Sequence, residues 1–290
     1  MGRNIEIEIL KCTKCGGSFT ENPTSISCNE CKAKIEISNN KILFKYFEES
    51  EISDSLDKLK YFFKKYHKLY SFLINVISPV CPDNYLKKFI DENVNGINKV
   101  SINFGSGNSN VSDNVSNVDI FPYDNVDMSC DIDNIPIKDN SVDNIINIAV
   151  LEHVTNPEKV VKEFYRILKP GGKIICFFPF MQGFHASPYD YSRRTYEGMK
   201  ILFKEYNIEN LYTAGGPTSG LLWILQDYIA VVLSFGYRPL YSVIYIVLMV
   251  ITFPVKFLDI ILKHNKLAKN CASGFTVVAS KKYKTSSIDN

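Results

Sequence analysis

The sequence predicts an α/β fold with a parallel central sheet, a small metal-binding ribbon at its N-terminus and an apolar helical insertion before its last strand. Three observations lead to this prediction. Four cysteines form two early C-x-x-C pairs, strand and helix patterns alternate from about residue 99, and a long apolar stretch separates the last two strand patterns. The corresponding division is a ribbon at 1–46, a helical linker at 47–98, a sheet domain at 99–283 with its insertion at 217–270, and a disordered tail at 284–290.

Composition indicates a globular, reduced protein. Hydrophobic residues make up 46% of the chain and charged residues 22%, which is enough for a sizeable core. The formal net charge of +2 gives no support to a broad nucleic-acid surface, so a nucleic-acid partner is disfavoured. Since no apolar signal segment follows Met1, we expect a cytoplasmic chain whose paired cysteines bind metal rather than form disulfides.

The early cysteines have the spacing of a structural zinc site. They form two tight turns, Cys12 with Cys15 and Cys28 with Cys31. A hairpin between two such turns places four thiolates in tetrahedral geometry, and Gly16-Gly17 lets the first turn fold back toward the sulfur atoms. The alternatives are a redox pair or unrelated cysteines, but a ribbon this short lacks a core of its own. Four thiolates leave no open position, so we expect the Zn²⁺ to be structural.

The pattern between the ribbon and the sheet is helical. Apolar residues recur at three- and four-residue steps over 53–77, with Ser53 as the N-cap and Pro79 and Pro82 ending the run. We interpret this segment as a helix that docks the ribbon on the main domain. A second helix is predicted at 84–92.

Strands and helices alternate from Lys99 onward. The predicted strands are 100–104, 115–120, 126–129, 144–149 and 173–178, and a terminal hairpin joins 208–214 to 275–279. The clearest helix covers 157–168 and ends at Lys169-Pro-Gly-Gly172, because proline and glycine stop it. Such alternation is typical of a parallel sheet covered on both faces.

The stretch VSINFGSGNSN at 100–110 leads from a strand into a glycine turn. Such a turn offers backbone N–H groups to a nucleotide, but the signal is weak by itself and fits a dinucleotide, a phosphate or no ligand. A dinucleotide fingerprint has a third glycine that opens a helix, whereas Asn110 stands there and 108–117 is a poor helix former.

Acidic residues after the next two predicted strands narrow the choice of ligand for the glycine turn. Asp119 ends the second strand, where a carboxylate accepts hydrogen bonds from ribose hydroxyls; Asp131 and Ile132 follow the third, where a carboxylate and an amide can read an adenine edge. The block DNSVDNIINIAVLEHVTNPEKVVKEFYRILKPGG at 139–172 closely resembles the class I S-adenosylmethionine-dependent methyltransferases of the type-11 group. The resemblance extends over about 100–180.

This resemblance implies a Rossmann-like methyltransferase sheet that binds S-adenosylmethionine. The implied contacts are Gly105 and Gly107 at the methionine part, Asp119 at the ribose, Asp131 and Ile132 at the adenine, and Asn147, Ile148 and Ala149 beneath the sulfonium.

Two positions depart from the family pattern. Asn103 replaces the acid expected two residues before the first glycine, near the amino group of the cofactor, and Ser109 replaces the third glycine. Neither change removes the site, because backbone N–H groups make most of the cradle. In the Leu-Glu-His turn, we interpret His153 mainly as a loop-fixing residue, while the role of Glu152 stays open.

The loop PFMQGFHASPYDYSRRTYEGMKILF at 179–203 is the predicted acceptor side, because open α/β sheets bind ligands at the carboxyl ends of strands. The candidate catalytic residues include a base, His185 or Asp190, that takes the proton of an oxygen or nitrogen acceptor. Arg193 or Arg194 is suited to hold a phosphate or carboxylate, and Tyr191 is a further candidate. The alternative is an internal network that orders the loop. Similar methyltransferases carry an H-x-x-P-x-D-Y-x-R-x-T segment here.

The insertion is strongly apolar. Residues 240–255 hold no charge, yet they are fewer than the roughly 20 that a membrane-spanning helix needs. Arg238 and Lys256 flank them, and the tyrosines at 237, 241 and 245 suit a membrane interface. Three interpretations stay open: packing on the core or in a homodimer, association with a membrane surface, and true spanning.

These features predict an S-adenosylmethionine-dependent methyltransferase with a structural zinc ribbon. We expect a small-molecule, glycan or lipid-linked acceptor, handled in the cytoplasm or at the inner face of a membrane. One alternative is an RNA methyltransferase whose zinc ribbon recognises the substrate, which the near-neutral charge disfavours. Another is a non-catalytic binding module whose altered glycine loop no longer holds the cofactor.

Overall fold

Eleven strands form one mixed sheet in the computed structural model, which describes residues 5–46, 76–95, 99–185 and 189–283. The strands are β1 Phe19–Asn22, β2 Ser25–Cys28, β3 Lys34–Ser38, β4 Lys41–Leu43, β5 Ser101–Phe104, β6 Ser116–Asp119, β7 Met128–Ser129, β8 Val142–Ile148, β9 Leu168–Pro179, β10 Asn207–Ala214 and β11 Gly274–Ser280. Their spatial order is β1-β2-β3-β4-β7-β6-β5-β8-β9-β11-β10. The strands from β4 to β9 in that order pair in parallel. The predicted α/β sheet with a parallel centre is therefore confirmed.

Both faces of the central strands are covered. Neighbouring residues of a strand point to opposite faces, so Ile145 and Ile146 of β8 belong to different apolar clusters. The α-helices of the described residues are α1 Tyr85–Phe89, α2 Pro157–Ile167, α3 Tyr196–Leu202, α4 Gly216–Ser234, α5 Arg238–Thr252 and α6 Asp259–Leu262. On one face lies α2, and on the other lie α1 and the π-helix Ile90–Val94 that continues it.

Helix α2 shows how the sequence produces this packing. The Asn156 side chain caps its first turn by accepting a hydrogen bond from Lys159 N, and Pro157 occupies the first helical position, where its missing N–H costs nothing. Apolar residues at helical spacing are buried on one side, and the ring of Phe164 lies 5.0 Å from that of Phe104 on β5. The helix is thereby fixed over the centre of the sheet.

Several element boundaries differ from the prediction. The helix predicted at 157–168 ends at Ile167, and β9 already begins at Leu168, so Lys169-Pro-Gly-Gly172 lies inside a strand rather than between elements. Gly171 and Gly172 pair with Lys281 through backbone hydrogen bonds of 2.9 Å, which keeps this segment extended. The strand predicted at 126–129 shortens to β7, and the helix predicted at 84–92 divides into α1 and a π-helix. The helix predicted at 53–77 lies outside the described residues except for its last two.

The ribbon continues the main sheet. Strands β1 to β4 form an antiparallel meander, and β4 pairs in parallel with β7 through Ile42 and Met128. An isolated bridge between Leu10 and Ile137 adds a second connection. Ile26 and Ile42 are fully buried in the same apolar cluster as the central strands. The ribbon therefore shares its core with the sheet domain.

The predicted apolar insertion is a helical hairpin of α4 and α5, followed by α6. Asp259 is fully buried and caps α4, because its carboxylate accepts hydrogen bonds from Thr218 N and Ser219 N at 2.8 and 2.7 Å. Lys256 is 1% exposed, and its ammonium donates to the carbonyls of Val76 and Ser78 at 2.6 and 2.8 Å. Polar contacts thus attach the base of the hairpin to the domain.

The outer surface of the hairpin is apolar and exposed. Phe235, at the tip, is 92% exposed, and Met249 alone is buried within α5. The exposed apolar side chains of the insertion include Leu221, Val231, Leu233, Val243, Ile251, Ile260 and Ile261. Packing on the protein's own core therefore accounts for little of this surface.

Candidate functional site

The candidate site lies at the carboxyl ends of β5 and β8. These neighbouring parallel strands are where the strand order of the sheet reverses, and open α/β sheets bind ligands at such a point. The glycine turn follows β5, the Leu-Glu-His turn follows β8, and the predicted acceptor loop follows β9. The three predicted components of the site therefore meet at one edge.

The glycine turn requires glycine at its first position. Gly105 has a φ of +73°, and a Cβ placed there would lie 2.2 Å from Cγ2 of Val150. Gly107 also has a positive φ, of +53°, but open space surrounds its Cβ position. Gly105 thus serves close packing between two turns, whereas Gly107 leaves room beside the loop.

Asp119 holds the glycine turn in place. Its carboxylate accepts hydrogen bonds from Gly107 N at 2.8 Å and from Phe121 N at 2.9 Å. Burial raises the pKa of this carboxyl above its ordinary value, although the backbone N–H groups that bind it oppose the shift. Each carboxylate oxygen can accept a second hydrogen bond, so the predicted ribose contact is chemically compatible with this arrangement.

Asp131 forms an ion pair with Lys45 of the ribbon. Lys45, which follows β4, donates to Asp131 at 2.6 Å, and Asp133 N donates to the other oxygen at 3.0 Å. Burial opposes ionisation of Asp131, but the hydrogen bond and charge of Lys45 outweigh it, and the pKa is lowered. Ile132 packs against the main apolar cluster. The predicted adenine acid is therefore ionised and reached by a ribbon residue.

The two asparagines predicted near the cofactor have their side chains engaged between strands. Asn147 is fully buried, donates to Phe104 O at 3.1 Å and lies 3.5 Å from the thiol of Cys176. Asn103 donates to Asn117 at 3.3 Å and is also buried. These contacts join adjacent strands, so a cofactor contact through either side chain stays a prediction.

Ile148 and Ala149 complete the end of β8. Ala149 is exposed, with a φ of +56° that is uncommon for a residue with a side chain. This conformation turns the chain toward Val150 and away from the strand direction. Backbone at this point is thereby accessible beside the glycine turn.

In the acceptor loop, an internal network engages Asp190. Its side chain is 2% exposed, forms two hydrogen bonds with Arg193, one of them 2.6 Å long, and accepts a third from His185 N at 2.9 Å. Burial opposes its ionisation, but Arg193 outweighs burial and lowers the pKa of Asp190. Such a carboxylate is a weak base, and the geometry favours a loop-ordering role for Asp190 and Arg193. Tyr191 donates its N–H to Glu152 O at 2.8 Å, while its ring is 50% exposed.

Glu152 is a functional candidate that the sequence left open. It is fully buried, and the Nε2 atoms of His153 and His185 lie 3.8 and 3.7 Å from its Oε1. Burial lowers the pKa of His185, but the Glu152 carboxylate, the Gly183 carbonyl and the charge of Asp190 together outweigh burial, and the pKa is raised. The sequence signal for this role was the adjacent pair Glu152 and His153 directly after a predicted strand. Their meeting with His185 depends on tertiary packing.

The insertion contributes residues to the acceptor side that sequence reasoning missed. The rings of Trp223 and His185 lie 5.7 Å apart, and Asp227 on the same helix accepts a hydrogen bond from the hydroxyl of Tyr241. Burial raises the pKa of Asp227. Helices α4 and α5 therefore form part of the wall beside the acceptor loop.

The four ribbon cysteines are brought together as predicted. The Sγ atoms of Cys12 and Cys31 lie 3.6 Å apart and those of Cys15 and Cys28 3.4 Å apart, and all four lie within 4.8 Å of one another. A disulfide requires about 2.0 Å, whereas tetrahedral Zn²⁺ with bonds of about 2.3 Å separates its sulfur ligands by about 3.8 Å. The donor set and spacing therefore fit a zinc ion.

Comparison with known proteins links the site to one family. Residues 104–176, a quarter of the chain, match the family described as "Methyltransferase domain". A demethylmenaquinone methyltransferase from Geobacillus sp. (strain WCH70) is 40% identical over 63 residues, which is 21% of this chain and 27% of that relative. The chain thus matches about a quarter of the length of the relative.

The solved structures that resemble this chain in fold are distant from it in sequence. Phosphoethanolamine N-methyltransferase 2 of Haemonchus contortus, in complex with S-adenosyl-L-methionine, is 15% identical with a TM-score of 0.43, covering 69% of this chain and 53% of that one. The YcgJ protein of Bacillus subtilis is 11% identical with a TM-score of 0.42, covering 68% and 98%. At these identities and TM-scores the structural likenesses carry no functional argument.

Gly105→Ala is expected to lower the free energy of unfolding by about 2–4 kcal/mol, because a left-handed alanine is strained and its methyl group collides with the stiff Val150 side chain. Gly107→Ala is the matched control and is expected to cost about 1–2 kcal/mol, from backbone strain alone. Urea denaturation measures both. Adding Val150→Ala should recover part of the loss in Gly105→Ala; equal losses in the two glycine variants would contradict the packing role.

Proposed function

From the methyltransferase domain that residues 104–176 carry, we propose that this chain transfers a methyl group from S-adenosylmethionine to an acceptor. The observation that carries the proposal is that the matched segment contains the glycine turn and the two acids at the carboxyl ends of β5, β6 and β7. The alternative of a non-catalytic module is less favoured, because Asp119 holds the glycine turn in a defined conformation despite the missing third glycine.

The residues present fit the proposed cofactor. Gly107 leaves open space beside the loop, Asp119 retains acceptor capacity for ribose hydroxyls, and Asp131 with Ile132 follows β7, where the proposal puts the adenine. When bound, S-adenosylmethionine supplies a methyl group on a positively charged sulfur. This chain's own contribution is to orient the two reactants and exclude water, which lowers the barrier of an in-line displacement.

We assign the acceptor to small, glycan or lipid-linked molecules. The predicted acceptor loop after β9 borders the insertion, with Trp223 and Asp227 near His185. Aromatic side chains beside this loop suit a compact group, and the formal charge of +2 supports this choice over RNA. The roles of His185, Tyr191 and Arg193 toward the acceptor stay predictions.

The second component of the proposal is a structural zinc ion in the ribbon. The four thiols meet at the spacing of a tetrahedral site, and Gly16, with a φ of +80°, permits the turn after the first pair. Because the ribbon shares its core with the sheet domain and Lys45 reaches Asp131, loss of the ion is expected to affect the adenine side of the cofactor site.

The third component is association of the insertion with a membrane surface at the inner face of the membrane. By length and composition, Arg238–Leu262 is the one segment of the described chain that could cross a membrane. An 18-residue stretch of this segment has a mean hydropathy of 2.2, and 17% of that stretch is buried. Some helices of soluble proteins meet the same requirements, so the exposure of the apolar residues is the more informative feature. A surface that borders the acceptor side suits a lipid-linked acceptor. A homodimer through the same surface is the competing outcome.

Isothermal calorimetry with S-adenosylmethionine tests the cofactor. Asp119→Ala should weaken binding roughly 10- to 100-fold, because it removes a charged hydrogen-bond acceptor and releases the Gly107 turn. Asp124→Ala, at an exposed acid, should bind like the wild type. The absence of wild-type binding at millimolar cofactor refutes the proposed function, and an unchanged dissociation constant removes Asp119 from the ribose role.

Cobalt substitution tests the ribbon. The wild-type protein should show the intense thiolate-to-Co²⁺ charge-transfer absorption, and Cys12→Ser should lose most of it together with thermal stability. Cys271→Ser, at a partly exposed thiol outside the ribbon, should retain both properties. Equal spectra for the two variants would show that the early cysteines do not bind the ion.

Sedimentation with lipid vesicles tests the membrane component. The double variant Phe235→Gln, Ile261→Gln should reduce the bound fraction at least about tenfold, since each apolar side chain contributes about 1.5–3 kcal/mol when buried. Ile201→Gln, at a residue 68% exposed outside the insertion, is the matched control and should bind normally. Wild-type protein that stays wholly in the supernatant contradicts association, and a concentration-dependent dimer without lipid favours the homodimer.

A further inference from the structure

Glu152 is a buried carboxylate whose side chain has no hydrogen-bond partner among the described residues. It is 0% exposed, and neither of its side-chain oxygens forms a hydrogen bond with any described residue. The neighbouring buried acid, Asp190, has three such bonds from Arg193 and His185. Buried charges in proteins are either paired or bound to metals, and the groups near Glu152 that can carry positive charge are two imidazoles, so a bound cation would give this carboxylate the bonds it lacks.

Two imidazoles direct the same ring atom at this carboxylate. Nε2 of His153 lies 3.8 Å from Oε1 of Glu152, and Nε2 of His185 lies 3.7 Å from the same oxygen. Both distances exceed a hydrogen bond, so the three groups surround a space rather than bind one another. One ligand atom from each residue lies within 4.8 Å of the other two.

The other nitrogen of each ring lies beside a backbone carbonyl. Nδ1 of His153 lies 2.5 Å from Tyr189 O, and Nδ1 of His185 lies 3.0 Å from Gly183 O. A carbonyl only accepts, so Nδ1 of His153 carries the hydrogen, and in the neutral ring its Nε2 presents a lone pair to the shared space. Nδ1 of His185 lies closer to the Gly183 carbonyl than to the donor Nη2 of Arg193, at 3.3 Å, and the closer contact favours the same tautomer. Histidines that bind metal through one nitrogen usually donate from the other to a carbonyl or carboxylate. The arrangement is therefore that of two metal ligands with their orientation already set.

We propose that Glu152, His153 and His185 bind a divalent transition-metal ion such as Zn²⁺, at a site separate from the four cysteines. Two imidazoles and one carboxylate are a ligand set suited to this class of ion. Bonds of about 2.1 Å at tetrahedral angles would separate the ligand atoms by about 3.4 Å. The carboxylate oxygen lies within a few tenths of an ångström of that separation from each Nε2, and the two Nε2 atoms, within 4.8 Å of each other, come together by rotation of the partly exposed His185 ring.

The position of the ligands gives the ion two roles. Glu152 and His153 belong to the turn after β8 and His185 to the loop after β9, so the ion joins the acceptor loop to the end of the sheet. The His185 side chain is 32% exposed, whereas that of Glu152 is 0% exposed, so the proposal puts the fourth position of the ion on the His185 side, next to the acceptor loop. An oxygen or nitrogen of the acceptor can occupy that position. This second role rests on the proposed function, whereas binding of the ion does not.

Metal stoichiometry of the full chain tests the proposal. Protein dialysed against micromolar Zn²⁺ is expected to hold two ions per chain, one in the ribbon and one at Glu152, His153 and His185. Elemental mass spectrometry measures the number of ions. His185→Ala and Glu152→Gln should each hold one. His264→Ala removes an exposed histidine away from the cluster and should still hold two. His185 is partly exposed, so its variant is expected to fold even where Glu152→Gln does not, and circular dichroism checks both.

A second measurement identifies the ligands by their chemistry. Co²⁺ added to protein whose ribbon already holds zinc should give weak visible bands without thiolate charge-transfer absorption, and His185→Ala should lose these bands. One ion per wild-type chain, or two ions in folded His185→Ala, overturns the proposal. Calorimetry with S-adenosylmethionine on the same samples separates the two hypotheses: a second ion without cofactor binding refutes the proposed function alone.

Discussion

The contact between Gly105 and Val150 is the constraint on which the rest of the site depends. A left-handed residue without a Cβ ends β5, and the Val150 side chain occupies the space that a Cβ would take. The turn after β8 therefore crosses directly beside the turn after β5. This crossing places the proposed cofactor loop and the Glu152–His153 pair side by side, so cofactor and acceptor regions are positioned by one contact.

Charge pairing around the site follows a consistent rule with one exception. Asp119 is held by backbone N–H groups, Asp131 by Lys45 and Asp190 by Arg193, and in each case the partner fixes a loop as well as a charge. These interactions explain how loops with little regular structure keep a defined conformation. Glu152 is the exception, since burial is complete and its oxygens have no hydrogen-bonded partner among the described residues. The proposed metal ion would give the Glu152 carboxylate a charged partner as well.

The insertion combines two surfaces with different chemistry. Its inner side is anchored by buried polar groups, with Asp259 capping α4 and Lys256 bound to backbone carbonyls, and it brings Trp223 to the acceptor side. Its outer side exposes apolar side chains as far as Phe235 at the tip. Buried ionic groups at the base are costly to form and costly to break, so they hold the hairpin in one orientation while its outer face stays available for contact. The predicted acceptor side and the exposed apolar surface thereby share one element.

The sequence by itself determined the sheet and the cysteine cluster of the ribbon, and it supplied the prediction of a cofactor side, because those signals are local. Continuous apolar strands, the C-x-x-C pairs and acids directly after strands each lie within a few residues, and the described structure contains the strands and the four-cysteine cluster where the patterns predicted them. The extension of β9 back to Leu168 was missed because pairing of Gly171 with Lys281 overrides the local preference of proline and glycine. Only the tertiary structure decided that Lys45 reaches Asp131, that Asp190 is bound by Arg193, and that Glu152 meets two histidines. Each of the contacts with Lys45, Lys281 and His185 joins residues far apart in the chain, and no local pattern encodes the burial that gives such a contact its chemistry.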